Sequence, residues 1–522
     1  MNAPADDFDL AHGAWIDCRY RDGTTRRTGL YEAVSDASSI ADLTLPYPIA
    51  YGALYRIAAA IAYRVTGLDR LRPGETATDW YRRRNAHFAT GFDQRAVDRY
   101  FRKHAAHLRL YHRHRPFLQD PRLAEECPRT SGIGKLVIGR PVGNARPWFS
   151  DTASQHHAVP VPSGEAALQA LMWAYYGSGG ALSTRSHQGV SAHAGCMAAV
   201  LRGTVGYHPI GPDLHTTLLA HLTPPGVDGH QDDFASWENP AHADPTRPPP
   251  SPTGPVSLLA ARTRHAILLV PSADGRFATD WYVTWGARNA PHKPGRDAGG
   301  HVEPFPDPFL SYQRSRESGA PSSAVKADGG RQLFRDLDVL LNDPATEPQR
   351  ARRAPTRPQV LASCDQIPDE VADTLRLRVV GAEQDREKSN DHQWWTTTTP
   401  PLLTHSAARD PEGAQHISEA VNEADLAERH LDNALAAAFE DRSADTRARK
   451  ARIALRFWPV ADAIFWNLYG TGRLDDATRR MRVAALDAFD QLTADLVRNP
   501  SAGERIARAR ARLPLPPRKA AS

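Results

Sequence analysis

The chain has 522 residues, of which 41% are hydrophobic and 24% are charged, a composition typical of a folded globular protein and not of a disordered one. No apolar run reaches the roughly 18 to 20 residues that a membrane helix needs, and residues 1–10 lack the basic and apolar regions of a secretory signal. We therefore expect a cytoplasmic protein with no membrane partner. The net charge of +4 is too small to indicate a partner by itself.

The first part of the chain is predicted to contain a hairpin and then several helices. Trp15-Ile16 and the turn at Asp22-Gly23 indicate the hairpin. The periodicity of apolar residues predicts a helix near residues 30–35 and a buried, alanine-rich helix over 49–66. Basic helices are expected over 80–111, a loop over 132–162, and a further helix that begins at Ser163.

The middle of the chain is richer in strands and loops. Residues 177–211 are glycine-rich and irregular, and residues 240–255 form a proline-rich linker. The runs HAILLV (265–270) and DWYVTW (280–285) flank Asp274-Gly275 and predict a hairpin. Residues 375–380 alternate like a half-buried strand that reaches a turn near Gly381.

The last part of the chain has helical periodicity in four segments, 411–440, 443–469, 474–498 and 501–513. Short connections between amphipathic helices indicate an up-down bundle. The predicted fold class is α+β, with a large mixed α/β domain over residues 1–400 and a four-helix bundle over 401–522. A chain of this length is expected to divide into domains, because single cores rarely exceed about 250 to 300 residues.

Charge is unevenly distributed along the chain. Residues 80–116 hold 10 Lys/Arg and five His against 2 Asp/Glu, whereas residues 405–442 hold 3 basic residues against 9 acidic ones. Such segregation is typical of a chain that contacts a polyanion at one surface and protein at another. Solvated faces of ordinary helices remain the alternative explanation.

Motifs for catalysis are missing. Gly134-Lys135 lacks the rest of a phosphate-binding loop, and no H-E-x-x-H motif is present. The four cysteines are far apart, which argues against a zinc site or a disulfide framework. Two clusters contain residue types that bind metals, but such polar residues in loops are usually solvated; they are Asp151, His156 and His157, and His230, Asp232 and Asp233. We predict no metal, no cofactor and no enzymatic activity.

Several short motifs occur in an order that resembles a known family. They include Trp15-Ile16, Pro116-Phe117-Leu118-Gln119, Trp148-Phe149-Ser150, Pro162-Ser163-Gly164-Glu165-Ala166, Leu201-Arg202-Gly203-Thr204, His208-Pro209, Asp307-Pro308-Phe309-Leu310, Glu383-Gln384-Asp385 and Gln393-Trp394-Trp395-Thr396. In their order and in the two-domain plan, the chain resembles CasA, the large subunit of the type I-E CRISPR Cascade complex, in its actinobacterial form. The resemblance covers nearly the whole chain.

The resemblance implies a non-enzymatic subunit of a complex guided by CRISPR RNA (crRNA). Such a subunit recognises the protospacer-adjacent motif (PAM) in double-stranded target DNA and begins strand separation there. It also recruits the helicase-nuclease, and its helix bundle contacts the displaced strand and the small subunits. The implied partners are crRNA, target DNA, the helicase-nuclease, and the backbone, small and crRNA-processing subunits of Cascade.

The resemblance also implies site residues. The segment GVSAHAG matches the place of a glycine-rich loop that contacts the minor groove; its candidate residues are Gly189, Ser191, His193, Ala194 and Gly195. Gln384 matches a wedge that separates the first base pairs, with Arg386 and Lys388 as phosphate contacts. Lys293 or Arg296 would be the lysine finger, and Phe149 would lie against the crRNA handle.

Two other functions stay open from the residues alone. The histidine and aspartate clusters would suit a metal-dependent hydrolase. The basic helices would suit a stand-alone protein that binds nucleic acid without sequence preference, through phosphate contacts that weaken with salt. Each alternative predicts behaviour of the isolated chain that differs from that of a subunit of Cascade.

Overall fold

Helices and strands are mixed along the chain, as the α+β prediction required. The structure is a computed structural model, and it describes residues 7–138, 140, 158–180, 182–192, 196–226, 232–239, 241–287, 305–315, 321–342, 355–384, 391–439, 446–496 and 500–514. Within these ranges, no helix combines the length and the hydropathy needed to cross a membrane.

The strands are short and pair in antiparallel fashion. In chain order they are β1 (Ile16–Tyr20), β2 (Thr25–Thr28), β3 (Ile40–Leu43), β4 (Val161–Pro162), β5 (Arg185–His187), β6 (Val190–Ala192), β7 (Val205–Ile210), β8 (His265–Pro271), β9 (Phe277–Trp285), β10 (Tyr312–Arg314), β11 (Pro321–Ala324), β12 (Arg376–Gln384) and β13 (Asp391–Thr398). They form the sheets β2-β1-β3, β13-β12-β7 and β4-β9-β8 and the two-stranded pairs β5-β6 and β10-β11.

The helices vary from one turn to eight turns in length. In chain order they are α1 (Leu30–Ser35), α2 (Pro48–Thr66), α3 (Ala77–Thr90), α4 (Gln94–His104), α5 (Leu123–Glu126), α6 (Ser163–Tyr176), α7 (Leu214–Ala220), α8 (Pro255–Ala260), α9 (Leu337–Leu341), α10 (Gln359–Cys364), α11 (Asp369–Ala372), α12 (Pro411–Phe439), α13 (Thr446–Arg456), α14 (Trp458–Gly470), α15 (Ala477–Thr493) and α16 (Pro500–Arg510).

The predicted hairpins are confirmed. β1 pairs with β2 around the turn at Asp22-Gly23, and β8 pairs with β9 around Asp274-Gly275. Both glycines have positive φ, 85° and 68°, a backbone conformation that glycine adopts without a steric penalty. The turn chemistry therefore fixes both hairpins locally.

The chain divides into two compact units. The first comprises Met1–Ala327 and Pro348–Thr404, and its core is centred on α2, which packs against α6, α8 and strand β12. Pro48 occupies the first turn of α2, where no donor is lost, and Gly67 ends the helix in the left-handed conformation. Nearly every side chain of α2 is buried, so the predicted buried helix is confirmed.

The second unit comprises Asp328–Glu347 and His405–Ser522. Its longest helix, α12, packs against α9, α13, α15 and α16. Phe334 stacks on Phe465 with ring centroids 4.8 Å apart, and the guanidinium of Arg335 lies over the ring of Trp458, 3.6 Å from its centroid. These contacts explain why residues 328–347 belong to this unit, a grouping that the sequence did not suggest. The division into residues 1–400 and 401–522 stays a prediction.

The predicted helix over 443–469 is wrong as a single helix. The structure has α13 and α14 in that range, separated at Phe457. Pro459 lies in the first turn of α14 and lacks the N–H group that a continuous helix would need to bond the carbonyl of residue 455. The proline therefore ends one helix and begins the next.

Candidate nucleic-acid interface

Gly189 lies at the tip of the hairpin formed by β5 and β6. Register pairs His187 with Val190, which leaves Gln188 and Gly189 as a two-residue turn. Both turn residues have positive φ, 49° and 78°, as the tight turns that suit the twist of a hairpin require. An added Cβ at Gly189 would meet no atom within 4 Å, so the turn leaves space beside this glycine.

A buried arginine holds this hairpin in place. Arg185 is fully buried, and its guanidinium bonds Asp120 at 2.7 Å and Glu126 at 2.5 Å. Glu126 also bonds Nδ1 of His187 at 2.6 Å. Burial alone would raise the pKa of Asp120, but hydrogen bonds and charge from Arg122 and Arg185 outweigh it and lower that pKa. The hairpin is thus fixed by charged groups from the segment that follows the P-F-L-Q motif.

Most of the other predicted site residues lie outside the described part of the chain. Ser191 is in β6, where its backbone pairs with Ser186. The residues outside the described ranges are Phe149, His193, Ala194, Gly195, Lys293, Arg296, Arg386 and Lys388. The structure neither brings these residues to the site nor separates them from it.

Gln384 is the last residue of β12. The predicted turn near Gly381 is wrong, because the strand continues through Gly381 to Gln384. Gly381 pairs with Trp395 of β13, and a Cβ at Gly381 would lie only 2.1 Å from that indole ring. Gly381 therefore permits a close approach of the tryptophan and does not make a turn.

The side chain of Gln384 is buried and bonded. It is 7% exposed, and its Nε2 donates to Oδ1 of Asp391, 2.7 Å away, on the adjacent strand. The same carboxylate oxygen accepts from Nη2 of Arg202 at 2.8 Å. Oε1 of Gln384 is buried and has no hydrogen-bond partner among the described residues. We call Arg202, Asp391 and Gln384 the arginine-aspartate-glutamine cluster.

Arg202 connects this cluster to the segment that follows the predicted glycine-rich loop. It belongs to the L-R-G-T motif, and its Nη1 donates to the carbonyl of Tyr176 at 3.2 Å. Gly203 then has a φ of 73°, and Thr204 accepts the backbone N–H of Ala382 at 3.1 Å. The L-R-G-T turn is therefore bonded directly to β12.

Asp391 is not among the residues that the sequence predicts for the site, and Arg202 enters the prediction only as part of a motif. A signal for Asp391 exists, since residues 376–384 and 391–398 are two strand-like runs separated by six residues. An antiparallel hairpin of that length places residue 384 beside residue 391. The contribution of Arg202 had no comparable local signal, because it arises from a contact between distant segments.

In the second cluster of metal-binding residue types, Asp233 caps a helix. The two carboxylate oxygens of Asp233 accept the backbone N–H groups of Val256 and Ser257 at 3.0 and 2.7 Å, in the first turn of α8. Asp151, His156, His157 and His230 lie outside the described residues. In the part of the chain that the structure covers, no group of three or more His, Cys, Asp or Glu side chains is arranged to hold a metal ion.

The basic stretch over residues 80–116 is partly neutralised within the fold. Arg84 is buried and donates to the carbonyl and hydroxyl of Ser363, and Arg83 is paired with Glu75 at 2.6 Å. Arg95, Arg102, Lys103 and Arg113 are exposed, among others. The net positive charge that reaches the surface is therefore smaller than the sequence count suggests.

Comparison with known proteins identifies the class. The family model for CRISPR-associated protein Cse1 matches residues 9–498, so the chain is a CRISPR-associated protein. Because that match spans both units, the chain belongs to the Cse1 family, which includes CasA. This match confirms the family resemblance that the sequence motifs indicate.

Individual relatives agree with this assignment. A solved chain of a CRISPR RNA-guided surveillance complex is 32% identical, with a TM-score of 0.83 over 97% of this chain and 99% of that one. Cse1 of Thermobifida fusca, at 19% identity, shares the fold with a TM-score of 0.76 over 98% of this chain and 97% of that one. CasA/Cse1 of Thermus thermophilus is 28% identical over 45% of this chain and 42% of that protein, so the match spans less than half of that curated relative.

Proposed function

We propose that this chain is the non-catalytic large subunit of a type I-E CRISPR Cascade complex. Its membership of the Cse1 family and its 32% identity with a chain of a CRISPR RNA-guided surveillance complex support this role. The proposed partners are crRNA, double-stranded target DNA, and the backbone, small and crRNA-processing subunits. In this role the chain recognises the PAM, begins strand separation and recruits the helicase-nuclease.

The proposal divides these tasks along the chain. Residues 1–400 would recognise the PAM and contact the crRNA handle and other subunits. Residues 401–522 would form a four-helix bundle that contacts the displaced strand and the small subunits. The four members of such a bundle would be α12, the consecutive pair α13 and α14, α15 and α16.

The arginine-aspartate-glutamine cluster is the observation that carries the DNA-binding part of the proposal. The segment predicted to contact the minor groove is followed by Arg202 of the L-R-G-T motif, and Arg202 shares one carboxylate with Gln384, the predicted wedge, from a distant part of the chain. A protein that inserts a side chain beside the base pairs that it recognises needs both elements at fixed positions.

The remaining site residues complete the proposal. Gly189, Ser191 and residues 193–195 would approach the minor groove, and Lys293 or Arg296 would contact it beside them. Arg386 and Lys388 would hold phosphates next to the Gln384 wedge, and Phe149 would stack on the crRNA handle.

The test uses the complex assembled with crRNA. Gel-shift assays would compare duplexes that carry or lack a correct PAM, because a purely electrostatic binder responds to salt and not to that motif. We expect PAM-dependent binding that is lost when this subunit is left out. Gln384→Ala should weaken R-loop formation by about 10-fold, as loss of a wedge that offsets unstacking implies, with assembly intact.

Two results would contradict the proposal. Equal target binding with and without this subunit would remove its role in PAM recognition. Turnover of nucleic acid by the isolated chain with divalent metal would favour a hydrolase and exclude a non-catalytic subunit.

A further inference from the structure

The side chain of Gln384 is held inside the protein. Its side chain is 7% exposed, and Oε1 is buried without a partner among the described residues. A side chain that separates base pairs must project from the protein surface. If Gln384 acts in the proposed function, its amide must first leave Asp391.

The hydrogen bonds of the cluster determine this buried position of the Gln384 side chain. A carboxylate only accepts hydrogen bonds, so Asp391 fixes the orientation of the Gln384 amide with Nε2 toward it. That orientation leaves the carbonyl oxygen buried and unpaired, which is unfavourable. The hydrogen bond to Asp391 therefore holds in place a side chain that is otherwise poorly accommodated.

Arg202 lets Asp391 release the glutamine. Arg202 is 2% exposed and bonds the same carboxylate oxygen at 2.8 Å, whereas Asp391 is 32% exposed. When Gln384 leaves, Asp391 keeps its ion pair and gains access to water, so no buried charge is left unpaired. The cluster thus supports two arrangements that differ by one hydrogen bond.

We propose that Asp391 is a specificity-determining residue, because it retains Gln384 until a duplex with a correct PAM supplies enough binding free energy to draw the side chain out. This inference rests on the proposed function. Loss of the restraint should let Gln384 enter duplexes that lack the PAM, so that discrimination between duplexes with and without the PAM decreases.

The experiment measures base-pair opening beside the PAM by 2-aminopurine fluorescence, in the complex assembled with crRNA. For Asp391→Ala we expect opening of duplexes without a PAM to rise about 10-fold, as loss of a hydrogen bond to a charged acceptor implies. Opening of duplexes with the PAM should rise less than this, because the restraint is already overcome there, so the ratio of opening with the PAM to opening without it should fall.

Three further variants make the result specific. Asp391→Glu, which keeps the charge that pairs with Arg202 but displaces the carboxylate, should give a smaller rise and serves if the alanine variant does not fold. In the Gln384→Ala background, Asp391→Ala should have no further effect, because the restrained group is gone. Asp373→Ala, a change at an exposed aspartate just before β12, is the matched control and should behave like wild type.

The outcomes separate this inference from the proposed function. If Asp391→Ala lowers opening, or leaves it unchanged while Gln384→Ala lowers it, the wedge stands and the restraint by Asp391 is refuted. If Gln384→Ala opens targets as well as wild type does, the wedge assignment itself fails.

Discussion

Several buried arginines in the first unit bond a carboxylate from a distant part of the chain. Arg56 lies in the middle of α2 and bonds Asp307 at 2.7 Å, with both side chains buried. Arg378 of β12 bonds Asp42 at 2.7 Å and the hydroxyl of Tyr55. A buried charge without a partner is strongly unfavourable, so each pair restricts which segments can pack together. The D-P-F-L motif thereby has a structural role, because it brings Asp307 to α2.

Asp307→Asn tests this role at the scale of one residue. The change keeps the size of the side chain but leaves the charge of Arg56 uncompensated, and we expect the free energy of unfolding to fall by about 3 to 5 kcal/mol. Denaturant-induced unfolding, followed by tryptophan fluorescence, would measure the change.

The matched control is an exposed ion pair in the same unit. Arg247 pairs with Asp244 at 3.4 Å, and its side chain is largely exposed. Arg247→Ala should change the free energy of unfolding by less than about 1 kcal/mol. Equal losses in the two variants would mean that the buried pair contributes no more than a surface one.

At the scale of elements, local signals predicted the structure well. The β8–β9 hairpin was predicted because Asp274-Gly275 and the apolar runs beside it lie within one short segment. The break at Phe457 had a local signal in Pro459, which the helical periodicity on both sides obscured. The sequence predicts too short a β12, because a glycine inside a strand pattern also indicates a turn.

Nonlocal contacts were not predictable in the same way. The carboxylate that neutralises Arg56 lies 251 residues away in the sequence, and no periodicity relates two such positions. The same limit applies to Arg202 and Asp391. The positions of single site residues came from motif resemblance, while the contacts that hold them require the folded chain.

The β5–β6 hairpin permits a test that separates backbone conformation from DNA contact. Gly189 has a φ of 78° and open space at its Cβ position. Asparagine tolerates this conformation better than other residues with a side chain, so Gly189→Asn should preserve stability within about 1 kcal/mol. If the glycine approaches the minor groove, the same variant should weaken binding of PAM duplexes about 10-fold by steric exclusion.

Gly74 offers a matched control for this variant. It has the same φ of 78°, and a Cβ there would also meet no atom within 4 Å. Gly74→Asn should leave binding of the duplex unchanged in the gel-shift assay. If the two asparagine variants bind PAM duplexes equally, Gly189 does not belong to the interface.

At the scale of the whole molecule, the family match spans residues 9–498 and thus extends through both compact units. Each unit has its own buried core, with α2 in the first and α12 in the second. The likeness to other Cse1 chains is therefore a property of the complete architecture and not of one motif-bearing segment.

Buried histidines make the stability of the molecule dependent on pH. Burial lowers the pKa of His221 to about 3 and that of His265 to about 4, and it lowers the pKa of His208 as well. In the unfolded chain a histidine has a pKa of about 6.5. Below that value the unfolded state binds protons that the folded state does not. The stability that the buried, neutral histidines contribute is therefore complete above pH of about 6.5. It is lost progressively as the pH falls toward the pKa values that these histidines have in the folded state.

His208→Phe tests this dependence. His208 lies among the rings of Tyr55, His221 and Phe309, and neither of its nitrogens has a partner among the described residues. Phenylalanine should therefore be accepted at neutral pH. Between pH 7 and 5 the free energy of unfolding of wild type should fall more steeply than that of the variant, by about 1.4 kcal/mol per pH unit once the unfolded histidine is protonated.

Denaturant titrations across this range would measure both slopes, with His114→Gln at an exposed position as the control that should follow wild type. Parallel curves for wild type and His208→Phe would show that His208 takes up its proton equally in the folded and unfolded states.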